Sequence, residues 1–315
     1  PTTGEVLAMA SKPSFDPNTI VEDWDDIVNN QSAAAPLLNR CTQGLYAPGS
    51  TFKIVMALEY MREQPNDWQD FRFDCDGEYQ DPADERYVVH CYGGETHGSE
   101  DLSSSFANSC NAAFSKIGTL TDPKKLLETG DALLFNQDLP ISIMSSKSRL
   151  KLATDADPWT LMQTAIGQGD TMMSPLHEVI LSAAIANGGV LVEPTLLRQV
   201  QSADGKVVKT FGEGSKRTLM SAEEASTLGG FMRRVVTEGT ASVLRKADYE
   251  AAGKTGSAEV VKNGEKSTTA WFTGFAPYEN PEIAICVVVE DGETGGRTAA
   301  PIARKVLDYW LEERR

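Results

Sequence analysis

The chain has 315 residues, 41% hydrophobic and 23% charged, enough to bury a substantial core as one large domain or two intimate subdomains, which excludes a disordered polymer. Its net charge of −16, from 45 acidic against 29 basic residues, argues against nucleic acid or anionic lipid as a partner, because both repel an acidic surface. No run of about 18 uninterrupted apolar residues occurs, so nothing in the sequence spans a bilayer.

In chain order, Pro1-Thr2-Thr3-Gly4 reads as a turn and Glu5 to Ala10 as a strand, so the sequence starts within a hairpin whose first strand is expected upstream. Trp24 to Ser32 is an acidic surface segment. Pro48-Gly49 breaks the chain ahead of a helix over Phe52 to Met61, stopped by Pro65-Asn66-Asp67. Residues 68–100 are loop-rich, with short strand-like pieces at Phe71–Phe73 and Arg86–Val89. Leu102 to Leu120 is helical, with Ser109 near a junction inside it, and Lys124–Leu134, Trp159–Ile166 and Ser174–Asn187 are further helices, the last ended by Gly188-Gly189. Asp204-Gly205 joins Leu196–Val200 to Val207–Phe211 as a hairpin, and Ser221–Thr237 is helical. Glu250–Val261, Thr268–Ala276 and Ile283–Glu290 are strands, the first two joined by an Asn263-Gly264 turn, and Ala299–Glu312 closes as an amphipathic helix. The fold class expected is α/β plus an all-α subdomain: a mainly antiparallel sheet flanked by helices and joined by the N-terminal strand, with a helical insertion. The α/β part is placed at about 1–60 and 220–315, and the helical subdomain at about 61–219.

Three short motifs carry the chemistry. Ser50-Thr51-Phe52-Lys53 sets a hydroxyl and an amine three residues apart at a helix start, where the offset puts both on one face within hydrogen-bond reach. Alone, that pattern is equally an ordinary helix start with Ser50 as cap and Lys53 in solvent. Ser109-Cys110-Asn111 and Lys254-Thr255-Gly256 follow in an order that recurs in serine acyl-transfer sites. Thr255 and Ser257 lie two apart on a strand and so share a face. The histidines His90, His97 and His177 have no serine-triad context. Five cysteines, an odd number, make no disulfide framework, so at least one is free. Cys75 and Cys91 flank a polar loop with His90 and His97, residue types that ligate zinc, but Cys-x-x-Cys pairs are missing and the expected metal set is none. A Cys75–Cys91 disulfide stays open for an oxidising compartment.

These motifs, with Asn39-Arg40-Cys41-Thr42-Gln43-Gly44, Ala165-Ile166-Gly167-Gln168-Gly169, Ala186-Asn187-Gly188-Gly189 and Trp271 to Pro277, resemble the penicillin-binding transpeptidase domain over nearly the whole chain. The resemblance implies Ser50 as nucleophile, Lys53 as base, Ser109 as proton relay and Lys254 as its electrostatic organiser. It implies Asn111, Thr255, Gly256 and Ser257 as substrate contacts, with the N–H groups of Ser50 and Ser257 as oxyanion donors. Ser257 departs from the threonine common at that place. The implied substrate is the D-alanyl-D-alanine end of a peptidoglycan stem peptide, with β-lactam antibiotics acylating the same serine, no cofactor, and the cell-wall synthesis machinery as partner. With no glycosyltransferase segment in this piece, it looks more like the monofunctional class B. A pedestal domain and a membrane anchor are expected upstream, which would hold the domain at the extracytoplasmic face of the bacterial plasma membrane. A D,D-carboxypeptidase, a serine β-lactamase or β-lactam sensor, and a catalytically silent scaffold are the competing readings.

Overall fold

The computed structural model describes residues 1–29, 35–212, 214–262 and 264–313. The short helix α1 (Trp24–Val28) precedes α2 (Lys53–Glu63), and four three-residue strands follow: β1 (Phe73–Cys75), β2 (Glu78–Gln80), β3 (Val88–His90) and β4 (Gly98–Glu100). Five helices come next: α3 (Leu102–Ala107), α4 (Asn111–Leu120), α5 (Pro123–Ala132), α6 (Pro158–Ala165) and α7 (Pro175–Ala186). Strands β5 (Val190–Val192), β6 (Gln199–Gln201), β7 (Val207–Thr210) and β8 (Lys216–Thr218) lead to α8 (Ala222–Thr237). The chain ends in β9 (Ala252–Lys262), β10 (Glu265–Ala276), β11 (Ile283–Val289) and α9 (Ala300–Asp308).

The principal sheet is antiparallel in the order β11-β10-β9, with Thr273 opposite both Lys254 and Cys286. Helix α8 packs on β9, while α7 and α9 each lie against β10 and β11. Helix α7 falls inside the 61–219 span read as a helical insertion, yet it is a wall of the sheet. The centre of the molecule is α2, where every residue from Lys53 to Met61 is buried. A helix apolar around most of its circumference must be enclosed, and α3, α4, α5 and α8 enclose it. Arg62 at its C-terminal end ties it to α8 through Glu224, 2.7 Å away.

Local signals place most elements. Ser221 and Glu224 form a reciprocal capping box that starts α8, and β6 pairs with β7 as the Asp204-Gly205 turn requires. Asn263 of the other predicted turn, and Ser32 at the end of the acidic segment, lie outside the described residues. One expectation fails. The N-terminal segment does not join the principal sheet: Glu5 makes a single parallel bridge to Thr195, with Val6 N–H donating to Thr195 O at 2.9 Å. The junction expected near Ser109 is present: Leu102–Leu120 is two helices, α3 and α4, broken at Ser109, whose φ is +58°. Among the described residues no helix is long and apolar enough to cross a membrane.

Candidate active site

Ser50 sits in a single 3₁₀ turn, Gly49–Phe52, that runs into α2 at Lys53. The turn is seated by backbone on two sides. Gly49, at φ +55°, donates its N–H to Gly167 O at 2.9 Å, and a Cβ on it would lie 3.0 Å from the Ser257 carbonyl. Gly167, at φ +70°, is tighter still, because a Cβ there would lie 1.9 Å from Gly49 O. Both positions need a left-handed backbone and no side chain, which glycine alone supplies without strain. The segment leading into the turn is held by Trp271, fully buried in β10, whose Nε1 donates to Ala47 O at 3.0 Å and whose ring meets Tyr46 edge-on at 5.9 Å. Arg40 Nε and Tyr46 OH both donate to Glu290 Oε1, at 3.0 and 2.9 Å.

Lys53 and Lys254 are both fully buried. Lys53 Nζ donates to Ser109 O at 2.6 Å, to Asn111 Oδ1 at 2.8 Å and to Ser109 Oγ at 3.4 Å. Lys254 Nζ donates to Ser109 Oγ at 2.9 Å and to Thr255 O at 3.0 Å. One hydroxyl therefore stands between two amines. Neither ammonium has a carboxylate among these hydrogen-bond partners, so burial dominates, outweighing the nearby Cys110, Cys91 and Glu100 that act the other way on Lys53. It pulls Lys53 down to about 8, and burial together with the charge of Lys53 pulls Lys254 well below the ordinary lysine range. The reading of Lys53 as a solvated side chain is excluded. The three hydrogen bonds of Lys53 all go to the Ser109–Asn111 segment, at the break between α3 and α4.

That break is built locally. Asp101 caps α3 by accepting from Ser104 N–H at 2.7 Å, α3 ends at Asn108, and Cys110 caps α4, which leaves Ser109 alone in a left-handed conformation. Asn111 also donates from Nδ2 to His90 O at 3.2 Å, which leaves its second amide hydrogen for a ligand. On β9, the Thr255 hydroxyl is 2.6 Å from that of Thr240, and Ser257 Oγ accepts from Gly295 N–H at 3.0 Å, so Ser257 keeps its own proton for a ligand. Gly256 lies between them, where a Cβ would come within 2.7 Å of Pro48 O.

Two residues of the site escape sequence reasoning. Thr240 carries no signal. Glu178 carries one: it is an acidic residue in a helix, α7, whose other residues are mostly apolar. It is buried directly behind the nucleophile turn, with Oε1 2.5 Å from Thr51 Oγ1, and burial pushes its carboxyl up to about 7. Thr51 Oγ1 also lies 3.0 Å from Pro48 O. A hydroxyl has one proton to give, so both contacts are satisfied only if protonated Glu178 donates to Thr51 and Thr51 donates to Pro48 O.

The set of a half-buried serine on a rigid turn, two desolvated amines and a relay hydroxyl is suited to acyl transfer. The chain is 30% identical to a peptidoglycan D,D-transpeptidase PbpA of Mycolicibacterium smegmatis over 99% of its length and 66% of the relative's. It is 30% identical to a peptidoglycan D,D-transpeptidase MrdA of Acinetobacter baumannii over 100% of its length and 50% of the relative's. It thus spans about half to two-thirds of these relatives. Among solved structures, a ceftriaxone acyl-enzyme complex of penicillin-binding protein A from M. tuberculosis superposes with a TM-score of 0.88 at 28% identity, covering 98% of this chain and 72% of that one. The D,D-transpeptidase domain of a peptidoglycan glycosyltransferase from Eggerthella lenta superposes at 0.87 and 28% identity, covering 99% and 76%. Residues 1–308 match the family described as penicillin binding protein transpeptidase domain, and with the geometry in agreement the chain belongs to that family.

Proposed function

We propose that this domain is a peptidoglycan D,D-transpeptidase working through an acyl-enzyme on Ser50. The observation that carries the reading is the Ser109 hydroxyl, 2.9 Å from Lys254 Nζ and 3.4 Å from Lys53 Nζ, at the foot of the nucleophile turn. With Lys53 near 8, about a tenth of the molecules at pH 7 hold it as the neutral amine, against about one in three thousand at an ordinary lysine value.

In the forward step, neutral Lys53 takes the Ser50 proton as Oγ attacks the carbonyl carbon of the penultimate D-alanine. The resulting oxyanion is received by the N–H groups of Ser50 and Ser257, each lost donor raising the barrier by about 3 kcal/mol. The C–N bond then breaks, and the leaving nitrogen takes a proton delivered through Ser109 under the field of Lys254, so D-alanine departs. An amine of a neighbouring stem peptide attacks the ester, gives up its proton along the same route, and frees Ser50. Asn111 aligns the peptide backbone, while Thr255 and Ser257, with Gly256 leaving room between them, bind the terminal carboxylate. β-Lactam antibiotics would acylate the same oxygen, as the acyl-enzyme complex of the M. tuberculosis neighbour does for that protein. The cell-wall synthesis machinery is the proposed partner and the extracytoplasmic face of the plasma membrane the proposed location. A neighbour in a peptidoglycan synthase complex supports the partner.

Intact-mass spectrometry after benzylpenicillin, with mapping of the modified peptide, tests the assignment. A stoichiometric, long-lived adduct on Ser50 that Ser50→Ala abolishes is expected. Rapid turnover of a chromogenic cephalosporin would make the domain a β-lactamase, trimmed monomer without cross-linked dimer would make it a carboxypeptidase, and no adduct would overturn the reading.

A further inference from the structure

Behind the Ser109–Asn111 segment, three cysteines and a histidine converge. Cys75 ends β1, Cys91 follows β3, His97 precedes β4, and Cys110 caps α4. Their sulfurs and His97 Nδ1 all lie within 4.8 Å of one another. The separations are 3.7 Å for Cys75–Cys91, 3.7 Å for Cys91–Cys110, 3.5 Å for Cys110–Cys75, and 3.3 and 3.8 Å from His97 Nδ1 to Cys75 and Cys91. A disulfide needs sulfurs about 2.05 Å apart, so these thiols are free and the open disulfide reading fails. A tetrahedron with sulfurs about 2.3 Å and an imidazole nitrogen about 2.0 Å from its centre has S···S edges of about 3.8 Å and S···N edges of about 3.5 Å, which these separations match.

We propose that Cys75, Cys91, His97 and Cys110 bind one zinc ion as a structural centre. Three soft thiolates and an imidazole select zinc over the hard cations. The cysteines are 3%, 3% and 0% exposed, too enclosed to serve as open-coordination catalytic ligands. The surroundings supply an outer shell: Ala113 N–H donates to Cys110 Sγ at 3.3 Å, and Glu95 lies 4.0 Å from His97 Nε2, the ring nitrogen turned away from the sulfurs. The segment also needs a staple. Among the described residues β1 pairs only with β4 and β2 only with β3, three residues each, and two-stranded pieces of that size are not stable alone. The bound ion would join both pairs to the N-terminus of α4 and so fix the peptide that holds Ser109 at φ +58°. The absence of Cys-x-x-Cys pairs argued against zinc from sequence, but here each ligand comes from a different element, and only the fold brings them together.

The zinc assignment stands independently of the transpeptidase reading, and its test is direct. The protein, purified without chelator, is assayed for metal by inductively coupled plasma mass spectrometry, and its thiols are titrated with an organomercurial in the presence of a zinc indicator. About one zinc per chain, released as three thiols react, is expected. Cys91→Ser and Cys75→Ser should lose the metal, while Cys41→Ser and Cys286→Ser, outside the cluster, should keep it. Should the cluster variants fail to fold, wild-type protein reconstituted with Co²⁺ should show thiolate-to-cobalt charge transfer and tetrahedral d–d bands, and chelation should lower its Tm. Metal-free folded protein whose thiols titrate without releasing zinc, no cobalt spectrum, or a disulfide between any two of the three cysteines would overturn the proposal.

Discussion

Replacing Glu178 by glutamine should make the protein more stable at alkaline pH and leave the difference small in acid. The folded-state carboxyl ionises near 7 and an unfolded one at its ordinary 4.5, because Glu178 is enclosed behind the turn and burial disfavours its charge. Between those values the folded state binds one more proton than the unfolded state, so stability falls as pH rises through the window and the loss is complete above about 7. The interval corresponds to about 3 kcal/mol, of which about 2–3 kcal/mol accrues between pH 5 and pH 8.5. Glutamine is neutral throughout, and its amide can donate to Thr51 Oγ1 as the protonated acid does. The assay is thermal or urea unfolding of both proteins at the two pH values. Any intrinsic difference between acid and amide is read at pH 5, and the growth of the gap towards pH 8.5 isolates the ionisation. At about 2 °C per kcal/mol for a chain of this size, the Glu178→Gln Tm should gain roughly 4–6 °C on wild type between pH 5 and 8.5. Penicillin labelling should survive in the variant, since Pro48 O keeps its partner. A gap that does not change with pH would refute the reasoning, and so would one that grows in the opposite direction.

Gly167→Ala should destabilise the fold by at least about 2 kcal/mol and slow Ser50 acylation, because its Cβ would meet Gly49 O at 1.9 Å from a backbone at φ +70°; unfolding and labelling rates check both. Acylation of wild type by a fluorescent penicillin should rise about tenfold per pH unit from pH 6 and level off near 8, as Lys53 loses its proton, and a flat profile would count against Lys53 as the base. Thr240→Val leaves the buried Thr255 hydroxyl without its partner at 2.6 Å, and should weaken binding of carboxylate-bearing β-lactams more than it lowers Tm, as competition labelling and unfolding would reveal.

Much of this architecture is legible in the chain because local rules act alone there. The Ser221 and Glu224 box starts α8, and the apolar run from Ile54 to Leu58 specifies α2. The three motifs likewise announce a site in which Lys53, Lys254, Ser109 and Asn111 do converge. What sequence reasoning misses depends on tertiary placement. The junction at Ser109 is legible, but its left-handed backbone is not, since the residue is a serine and not a glycine. The N-terminal segment reads as a strand because it is apolar from Val6 to Ala10, but its partner is Thr195 instead of the principal sheet. Glu178 looks like a stray charge until Thr51 is set beside it, and the four sulfur and nitrogen donors are separated by 15, 5 and 12 intervening residues along the chain.

The turn bearing Ser50 touches main chain on both flanks, at Gly167 and at Ser257. Main-chain atoms cannot be exchanged by point mutation, so selection has no small adjustment to make at the base of the nucleophile. A substitution that shifts the reactive oxygen has to displace one of these two segments, as a side chain at Gly167 would.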